Sequence, residues 1–542
     1  MNVPASEVDS GTKQTTISQN GTQTINVVGY AGHEVTVDVP NGVQGLQATQ
    51  NGTYRPTSPN IGFDEVEVNV PASEVDSGTL QQPIYQNGVQ TINVVGYANI
   101  ELDVQVGGGT DPNYLYIENV DQSDRQAQVV FGNNGSDYTD FTLYTSTDKT
   151  NWTRMTQGIT IPVNGKVYFY GENTNPFNQK TLSITGGNVN VGGDVTTLMT
   201  KTGNQLQLQN SHFRNLFYGD NTIIDASHLV LPAKIVGERV YQNMFRECTS
   251  LVNAPALPAT SIGGNCYQSM FNGCTSLTSA PTLPATLINI SCYQEMFVNC
   301  TSLVNAPALP ALRASSSCYQ SMFKGCTSLV NAPALPATTL LQSCYAGMFE
   351  GCTSLVNAPA LNSTSLGNSS YNGMFKGCTS LVNAPVTLPA TTLAASCYNS
   401  MFEGCTSLTT APSLPATALI STCYNNMFKG CTSLVNAPAL PATTLAVTCY
   451  ANMFNGCTSL VNAPDLPATT LVNECYMGIF NSCTSLASIT CLAEDISATR
   501  CVQNWVYNVA ASGTFTKSAN MSTWPTGASG IPSGWTVQDY VA

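Results

Sequence analysis

The residues best suited to chemistry in this sequence are its twenty cysteines. Thiolates act as nucleophiles and metal ligands, and thiols pair as disulfides. Most of the cysteines fall in two columns of a repeat, one directly before Thr-Ser-Leu and one directly before Tyr. The first column contains Cys248, Cys274, Cys300, Cys326, Cys352, Cys378, Cys405, Cys431, Cys457 and Cys483. The second contains Cys266, Cys292, Cys318, Cys344, Cys397, Cys423, Cys449 and Cys475.

Neither simple disulfide scheme uses every cysteine. Pairing within each coil leaves Cys248 and Cys378 without partners, and pairing between coils leaves Cys352 and Cys491. We therefore interpret these residues as buried free thiols that act as small apolar side chains, with disulfides as the alternative. The sequence has no Cys-x-x-Cys and no Cys/His cluster, so we expect neither a metal site nor another cofactor.

Other catalytic groups are sparse. The chain has three histidines, His33, His212 and His228, and residues 241–480 contain eleven charged residues that are mostly isolated from one another. Segment 146–152 is similar to a sialidase Asp-box, but its Trp comes one residue early and its Gly is missing. We interpret it as a hairpin turn. Because an active site needs converging titratable groups, the sequence predicts a protein that is not an enzyme.

The charge distribution excludes one class of partner. The net charge is −14, and residues 1–110 contain eleven acidic residues against Lys13 and Arg55. Nucleic acid is not expected as a partner, because phosphate binding needs a clustered basic face. No apolar run reaches the ~18 residues that cross a bilayer, so no membrane insertion is expected. The start of the chain also lacks the pattern of a signal peptide.

A direct duplication organises the N-terminal part. Residues 2–31 recur at 69–98, and each copy carries a Gln-Asn-Gly turn followed by a Gly-aromatic pair. Asn-Gly favours tight hairpins, which predicts tandem small β-modules over residues 1–106. These modules are also candidates for a homo-oligomeric contact. Residues 107–110 form a Gly-rich linker.

Short alternating segments separated by Gly, Asn and Asp turns predict a β-sandwich over residues 111–199. The predicted strands are 114–120, 127–131, 140–146, 159–163, 167–171 and 182–191.

A second repeat begins near residue 200, where a Met-Phe pair recurs at a nearly constant interval, as at Met270-Phe271, Met296-Phe297 and Met322-Phe323. A representative coil is Cys344-Tyr345-x-x-Met348-Phe349-x-Gly351-Cys352-Thr-Ser-Leu-Val-Asn-Ala-Pro-Ala-Leu. A period of this length, with Leu, Cys and Asn at fixed places, is typical of a leucine-rich-repeat solenoid. We predict an N-terminal cap and degenerate first coil over 200–240, the solenoid over 241–483, about eleven coils in all, and a C-terminal cap over 484–542.

The predicted fold class is mostly β with short helical turns. The Cys-Tyr-x-x-Met-Phe-x-Gly segment is interpreted as a short helical turn, because Tyr and Phe lie four residues apart. The Leu-Val-Asn-Ala-Pro-Ala-Leu segment is interpreted as a very short strand in an irregular sheet, since its proline cannot donate to a ladder.

Two rows of side chains are candidate surfaces. A row of lysines and glutamates of alternating sign follows Met-Phe, and we interpret it as a structural device that fixes the register of neighbouring coils, with a charged binding strip as the alternative. It contains Lys324, Glu350, Lys376, Glu403 and Lys429. A row of amides follows Tyr, and together with the cap tryptophans it is the candidate ligand-binding surface. These residues are Gln268, Gln294, Gln320, Asn372, Asn399, Asn425, Asn452, Trp505, Trp524 and Trp535, with Ala346 interrupting the row.

The repeated Tyr-x-x-Met-Phe-x-Gly-Cys-Thr-Ser-Leu pattern of residues 210–490 resembles the BspA-type leucine-rich-repeat surface proteins. The tail from Cys491 to Val537 resembles the end module of such proteins in gut bacteria and their phages, and segment 50–68 is similar to short β-modules of phage tail and surface proteins. The resemblance implies adhesion to a cell-surface glycan or protein, outside the cell. Two settings stay open: a tail-fibre-like appendage on the virion surface, or a bacterial cell-surface adhesin with a truncated start. A rigid spacer without a ligand is the third interpretation.

Overall fold

The computed structural model describes the backbone of nine short strands before residue 107, and residues 113–132, 141–173, 176–177 and 180–541 with their side chains. The chain divides into two compact units, Met1–Asn113 and Tyr114–Ala542.

The duplication in the first unit produces the same strand pairing twice. Its strands are β1 (Lys13–Thr16), β2 (Gln23–Ile25), β3 (Val35–Asp38), β4 (Leu46–Ala48), β5 (Gly52–Tyr54), β6 (Val66–Val68), β7 (Gly78–Ile84), β8 (Gln90–Thr91) and β9 (Ile100–Val106). Lys13 pairs in parallel with Val35, and Leu80 pairs in parallel with Leu102, at positions related by the same offset as the two copies. The Asn20-Gly21 turn, His33 and the linker 107–110 lie outside the described residues.

The second unit begins with a sandwich of two sheets. Its strands are β10 (Leu115–Asn119), β11 (Ala127–Phe131), β12 (Leu143–Ser146), β13 (Thr153–Arg154), β14 (Ile159–Ile161), β15 (Lys166–Gly171), β16 (Leu182–Gly186) and β17 (Val189–Asp194). Leu115, Val129 and Phe169 are fully buried between the sheets. Alternate residues of β10 and β15 face the opposite side, as the period of two along a strand requires.

The strand predicted over residues 182–191 is two strands. Gly186 has φ +95°, a conformation that L side chains rarely adopt, and the chain reverses there. As a result β16 pairs with β11 in one sheet and β17 pairs with β10 in the other.

The sandwich continues directly into the solenoid. Strand β19 (Ile223–Val230) belongs to the first coil and pairs in parallel with β17, which extends the larger sheet to the order β13-β12-β15-β10-β17-β19. The Asp220 carboxylate accepts hydrogen bonds from the backbone N–H groups of Ile184 (2.7 Å) and Thr222 (3.0 Å), which fastens the two parts together. The sandwich therefore covers the first coil of the solenoid.

The remaining strands are short. They are β18 (Gln207–Leu208), β20 (Ile235–Val236), β21 (Ser261–Ile262), β22 (Arg313–Ala314), β23 (Thr339–Leu340), β24 (Ser488–Cys491), β25 (Thr514–Lys517) and β26 (Thr536–Asp539). Elsewhere on this side single parallel bridges join neighbouring coils, such as Asn305 to Asn331 and Asn436 to Asn462. The prediction of very short strands in an irregular sheet is confirmed.

The opposite side of each coil is a run of turns. The backbone N–H of Tyr267 donates to the carbonyl of Cys292 in the next coil (2.9 Å), whereas that of Met270 donates back to Tyr267 (3.2 Å), and this alternation repeats along the segment. Among the described residues the only helical segment is the 3₁₀ helix Val195–Leu198. The predicted mostly-β fold class is confirmed. The Cys-Tyr-x-x-Met-Phe-x-Gly segment, however, is not a helical turn: its backbone N–H groups donate alternately within the turn and to the next coil.

Every fourth residue of this run has a left-handed backbone. In one coil the φ angles are +57° at Asn265, +53° at Ser269 and +80° at Gly273. Asn and Gly tolerate this conformation best, which explains their frequency at these positions.

Stacked columns of identical side chains form the core. Tyr267 and Tyr293 have ring centroids 5.8 Å apart, and Phe297 and Phe323 have centroids 5.6 Å apart with an interplanar angle of 3°. Each residue thus packs on its own copy in the next coil, which is why one coil cannot bury its apolar side chains alone.

Candidate binding surfaces of the solenoid

The amide row is formed by the Gln or Asn that follows Tyr in most coils; Gln242 at its start is buried, and the amides from Gln268 to Asn425 are half-exposed on the turn side. Gln242 donates its amide N–H to Gln268 Oε1 (2.5 Å), and Gln268 donates to Gln294 Oε1 (3.1 Å). The Asn265 amide also donates to Gln268 Oε1 (2.9 Å). The structure therefore joins the first amides of the row into a hydrogen-bonded ladder that runs from coil to coil.

The row has two irregularities. Ala346 interrupts it after Gln320, as the sequence predicts. Asn452 does not belong to it, because the residue after Tyr450 is Ala451. Asn452 has φ +54° and stands in the neighbouring left-handed column, so its place in the predicted row is corrected here.

The charge row forms ion pairs between coils. Lys324 Nζ lies 3.1 Å from Glu350, and Glu403 contacts both Lys376 (3.0 Å) and Lys429 (3.6 Å). Burial raises the pKa of the Glu403 carboxyl, but hydrogen bonds and the two ammonium groups outweigh this, so the net pKa is lowered. These side chains satisfy one another across neighbouring coils.

All twenty cysteines are buried free thiols in this structure. In the first column each thiol donates to the carbonyl of the Phe in the preceding coil, as Cys274 Sγ does to Phe245 (3.0 Å) and Cys352 Sγ does to Phe323 (3.0 Å). Cysteine is small enough for this position and still supplies a donor, which gives the column a physical reason.

Burial also makes the thiols unreactive. It raises the pKa of Cys292 and of Cys326 to about 12, so both stay protonated near neutral pH. Since the thiolate is the nucleophile and metal ligand, these columns carry no chemistry of that kind. In the part of the chain that the structure describes, no group of three His, Cys, Asp or Glu is placed to hold a metal.

The cap tryptophans are structural rather than exposed. Trp505 is fully buried and donates its indole N–H to the Gly530 carbonyl (2.7 Å), and Trp535 is buried and donates to Ala510 (2.8 Å). Trp524 is half-buried and stacks on Trp505 at 5.5 Å. Burial removes the ring faces of Trp505 and Trp535 from any ligand, which corrects their prediction as binding residues.

Sequence reasoning missed a second row on the strand side. Exposed valines and asparagines follow one another there, and the Asn331 amide donates to Asn305 (3.0 Å) as the Asn383 amide does to Asn357 (2.6 Å). Val330 is 42% exposed. The signal was the recurring Ser-Leu-Val-Asn, which places an apolar residue beside a polar one in most coils.

The turn segment following Ser146 also has the predicted form. It joins the antiparallel strands β12 and β13, and Asp148 Oδ1 accepts from the backbone N–H groups of Thr150 (2.9 Å) and Asn151 (2.8 Å). The interpretation as a hairpin turn is confirmed. Within the described residues no helix has the length and apolarity to span a bilayer.

Comparison with known proteins identifies the repeat. A family model described as "BspA type Leucine rich repeat region" matches residues 238–381, 312–435 and 347–487. The matched residues lie within the solenoid, and their repeats are similar to the BspA type. A leucine-rich repeat protein from Bacteroides ovatus ATCC 8483, known from a crystal structure, is 19% identical, with a TM-score of 0.40 over 60% of this chain and 80% of that one. No curated protein sequence matches the chain.

Proposed function

We propose that this protein is a non-enzymatic adhesion protein whose BspA-type array binds a cell-surface glycan or protein outside the cell. The observation that carries the proposal is the amide row. A carboxamide has two N–H donors and an oxygen that accepts twice, so the bond between Gln268 and Gln294 fixes each group and leaves capacity for a ligand. Repetition from coil to coil turns single hydrogen bonds into one extended surface.

The composition supports the same function. Only 9% of the residues are charged, so the surface offers hydroxyls and amides, which match the hydroxyl groups of a glycan. The more specific proposal is a tail-fibre-like appendage on a phage virion, with the N-terminal β-modules as its stalk. Its support is the similarity of segment 50–68 to β-modules of phage tail and surface proteins.

The second candidate is a bacterial cell-surface adhesin, and the BspA-type array favours it. Mass spectrometry of purified virions and of surface-shaved bacterial cells separates the two settings. Peptides of this chain in intact virions support the phage appendage, and peptides released only from cells support the bacterial adhesin.

Binding is tested with the full-length labelled chain on gut-bacterial cells and on a glycan array. We expect saturable binding that falls at least tenfold in a variant carrying Gln268→Ala, Gln294→Ala and Gln320→Ala. The matched variant on the strand side carries Asn331→Ala, Asn357→Ala and Asn436→Ala, and it should bind normally.

The two variants distinguish the outcomes. Loss of binding in the strand-side variant alone would keep the function but move the site away from the amide row. Absence of saturable binding by the folded parent on both cells and array would reject adhesion and leave the spacer interpretation.

A further inference from the structure

The outer face of the larger sandwich sheet is covered by aromatic rings. Tyr116 on β10 lies directly opposite Tyr168 on β15, and their ring centroids are 6.1 Å apart. Both side chains are half-exposed, while their neighbours Leu115 and Phe169 point into the core. The alternation of the two strands therefore directs this ring pair away from the core.

A second group of rings continues the surface along β15. Tyr170 is buried and forms its base, with Tyr144 stacked on it at 4.7 Å and an interplanar angle of 17°. Trp152 meets Tyr170 edge-on at 4.6 Å. Tyr144 and Trp152 are half-exposed, so two accessible rings pack on one buried ring. We call Tyr116, Tyr144, Trp152, Tyr168 and Tyr170 the aromatic face.

The backbone holds the aromatic face in place. Trp152 donates its indole N–H to the Lys149 carbonyl (2.9 Å), within the turn that Asp148 organises. On the other side of the face, a Cβ at Gly192 would lie 2.4 Å from the Tyr116 ring, so a larger residue there would displace the ring. The rings are thus positioned before any ligand arrives, which lowers the entropic cost of binding.

Three lysines surround these rings. The Lys149 ammonium lies 4.9 Å from the Tyr168 centroid, that of Lys166 lies 4.3 Å from Tyr116, and that of Lys201 lies 5.2 Å from Tyr170. Lys166 also pairs with Glu118 at 3.3 Å. The ion pairs of the described residues in this region include neither Lys149 nor Lys201. The carboxylates of Glu118 and Glu172 also lie close enough to act on Tyr116 and Tyr170, so Lys149 and Lys201 are the groups of this surface that favour an anion.

We propose that the aromatic face is a second binding site, separate from the solenoid, for an acidic saccharide. The apolar face of a sugar ring would pack on Tyr168 and Trp152, and its carboxylate or sulfate would meet Lys149 and Lys201. A partly exposed aromatic cluster on the outer face of a sheet offers the apolar surface that a sugar ring can pack on. The lysines favour an anionic ligand, because a carboxylate or sulfate attracts an ammonium group more strongly than the face of an aromatic ring does. Each ammonium can therefore move from its tyrosine ring to the bound anion.

The test measures affinity of the full chain for polygalacturonate, with heparin as the sulfated probe and amylose as the neutral one. We expect Lys149→Met with Lys201→Met to raise the Kd at least tenfold, and Tyr168→Ala to do the same. The lysine variant keeps every ring, so its fold is protected, and near-ultraviolet circular dichroism checks this.

Matched controls come from the solenoid. Tyr218→Ala removes an exposed tyrosine that lies under the Arg246 guanidinium at 6.0 Å, and Lys429→Met removes an exposed cation of the charge row. Both should change the Kd less than twofold, as should the amide-row variant, which separates this site from the proposed solenoid site. A lower Kd for polygalacturonate than for heparin would indicate that the site binds the carboxylates of a saccharide. A lower Kd for heparin would indicate that it binds sulfates.

Three results overturn the proposal. They are no binding of either acidic polysaccharide by the folded parent, an unchanged Kd in the lysine variant, or equal affinity of the parent for amylose and for the acidic probes.

Discussion

The sandwich and the array of solenoid coils belong to one compact unit and share one sheet, yet they are stabilised differently. In the sandwich each core residue is unique, and antiparallel strands distant in sequence bring it to its neighbours, as β10 and β15 do. In the array each residue packs on its own copy one coil later, such as Phe323 on Phe349 at 5.7 Å. A substitution in the sandwich therefore disturbs one set of core contacts. In the array the same type of side chain recurs in successive coils, so its properties add up along a column.

Alkaline pH should produce the largest difference in stability between the sandwich and the array. All the cysteines lie between residues 248 and 501, and the sandwich has none. The unfolded thiol has a pKa of about 8.5, whereas burial raises that of Cys292 to about 12. Above pH ~9 the unfolded chain loses protons that the folded chain keeps, so stability falls by about 1.4 kcal/mol per pH unit for each such thiol.

We therefore expect the array to unfold cooperatively between about pH 9 and 11 while the sandwich persists. Far-ultraviolet circular dichroism follows the array, and fluorescence of the parent compared with a Trp152→Phe variant isolates the sandwich. Recovery at pH 7.5 under reductant is the control. Simultaneous loss of both signals would contradict the comparison.

Removal of one ring from the middle of the array should have the next largest effect. Phe323→Ala leaves a cavity between two stacked rings and should lower the free energy of unfolding by about 3–5 kcal/mol. Urea denaturation should show a larger shift for the cap tryptophans than for Trp152, because the cap continues the stacked coils whereas the sandwich is closed by antiparallel strand pairs of its own.

The control for this prediction is Val330→Ala, at a position that is 42% exposed, with an expected change below about 0.5 kcal/mol. Equal shifts at both probes after Phe323→Ala would indicate that sandwich and array unfold together.

Replacing a glycine that has a positive φ should cost more stability in the sandwich than in the array. A Cβ at Gly186 would lie 2.2 Å from the Gln126 carbonyl oxygen, whereas one at Gly351 would meet nothing closer than 3.8 Å. Gly186→Ala should cost about 3 kcal/mol from clash and strain together, and Gly351→Ala about 1–2 kcal/mol from strain alone.

Thermal unfolding compares the two glycine variants directly. Gly351→Asn is the matched control and should cost less than Gly351→Ala, because Asn occupies the equivalent left-handed position at Asn299. A larger loss at Gly351 than at Gly186 would reverse the expected order.

The charge row should have the smallest effect. Lys376→Ala removes an exposed partner of Glu403, and we expect a loss of at most about 1 kcal/mol. The loss should shrink further at high salt, where charges are screened. A loss at low salt as large as that of Gly351→Ala would show that the row is a main determinant of stability.

Prediction from sequence succeeded where the same residues recur. The repeat period, the side of each coil that carries the short strands, the free state of the cysteine thiols and the fold class were all predicted from the fixed positions of Cys, Phe, Leu and Pro in the repeat. It failed where the outcome depended on a single position, as at Gly186, whose φ divides one predicted strand into two. It also misplaced Asn452 by one residue and took Trp505 for an exposed ring, although its indole lies inside the cap.

The sequence by itself determined the solenoid, because an apolar side chain that recurs in every coil can be buried only against its own copies. Only the tertiary structure decided how the solenoid is covered and which surfaces carry rings. The pairing of β17 with β19 joins residues that no local pattern links, so the sandwich becomes the cover of the first coil. The aromatic face likewise arises from pairing, since Tyr116, Tyr144 and Tyr168 come from three strands that meet only in the folded sheet.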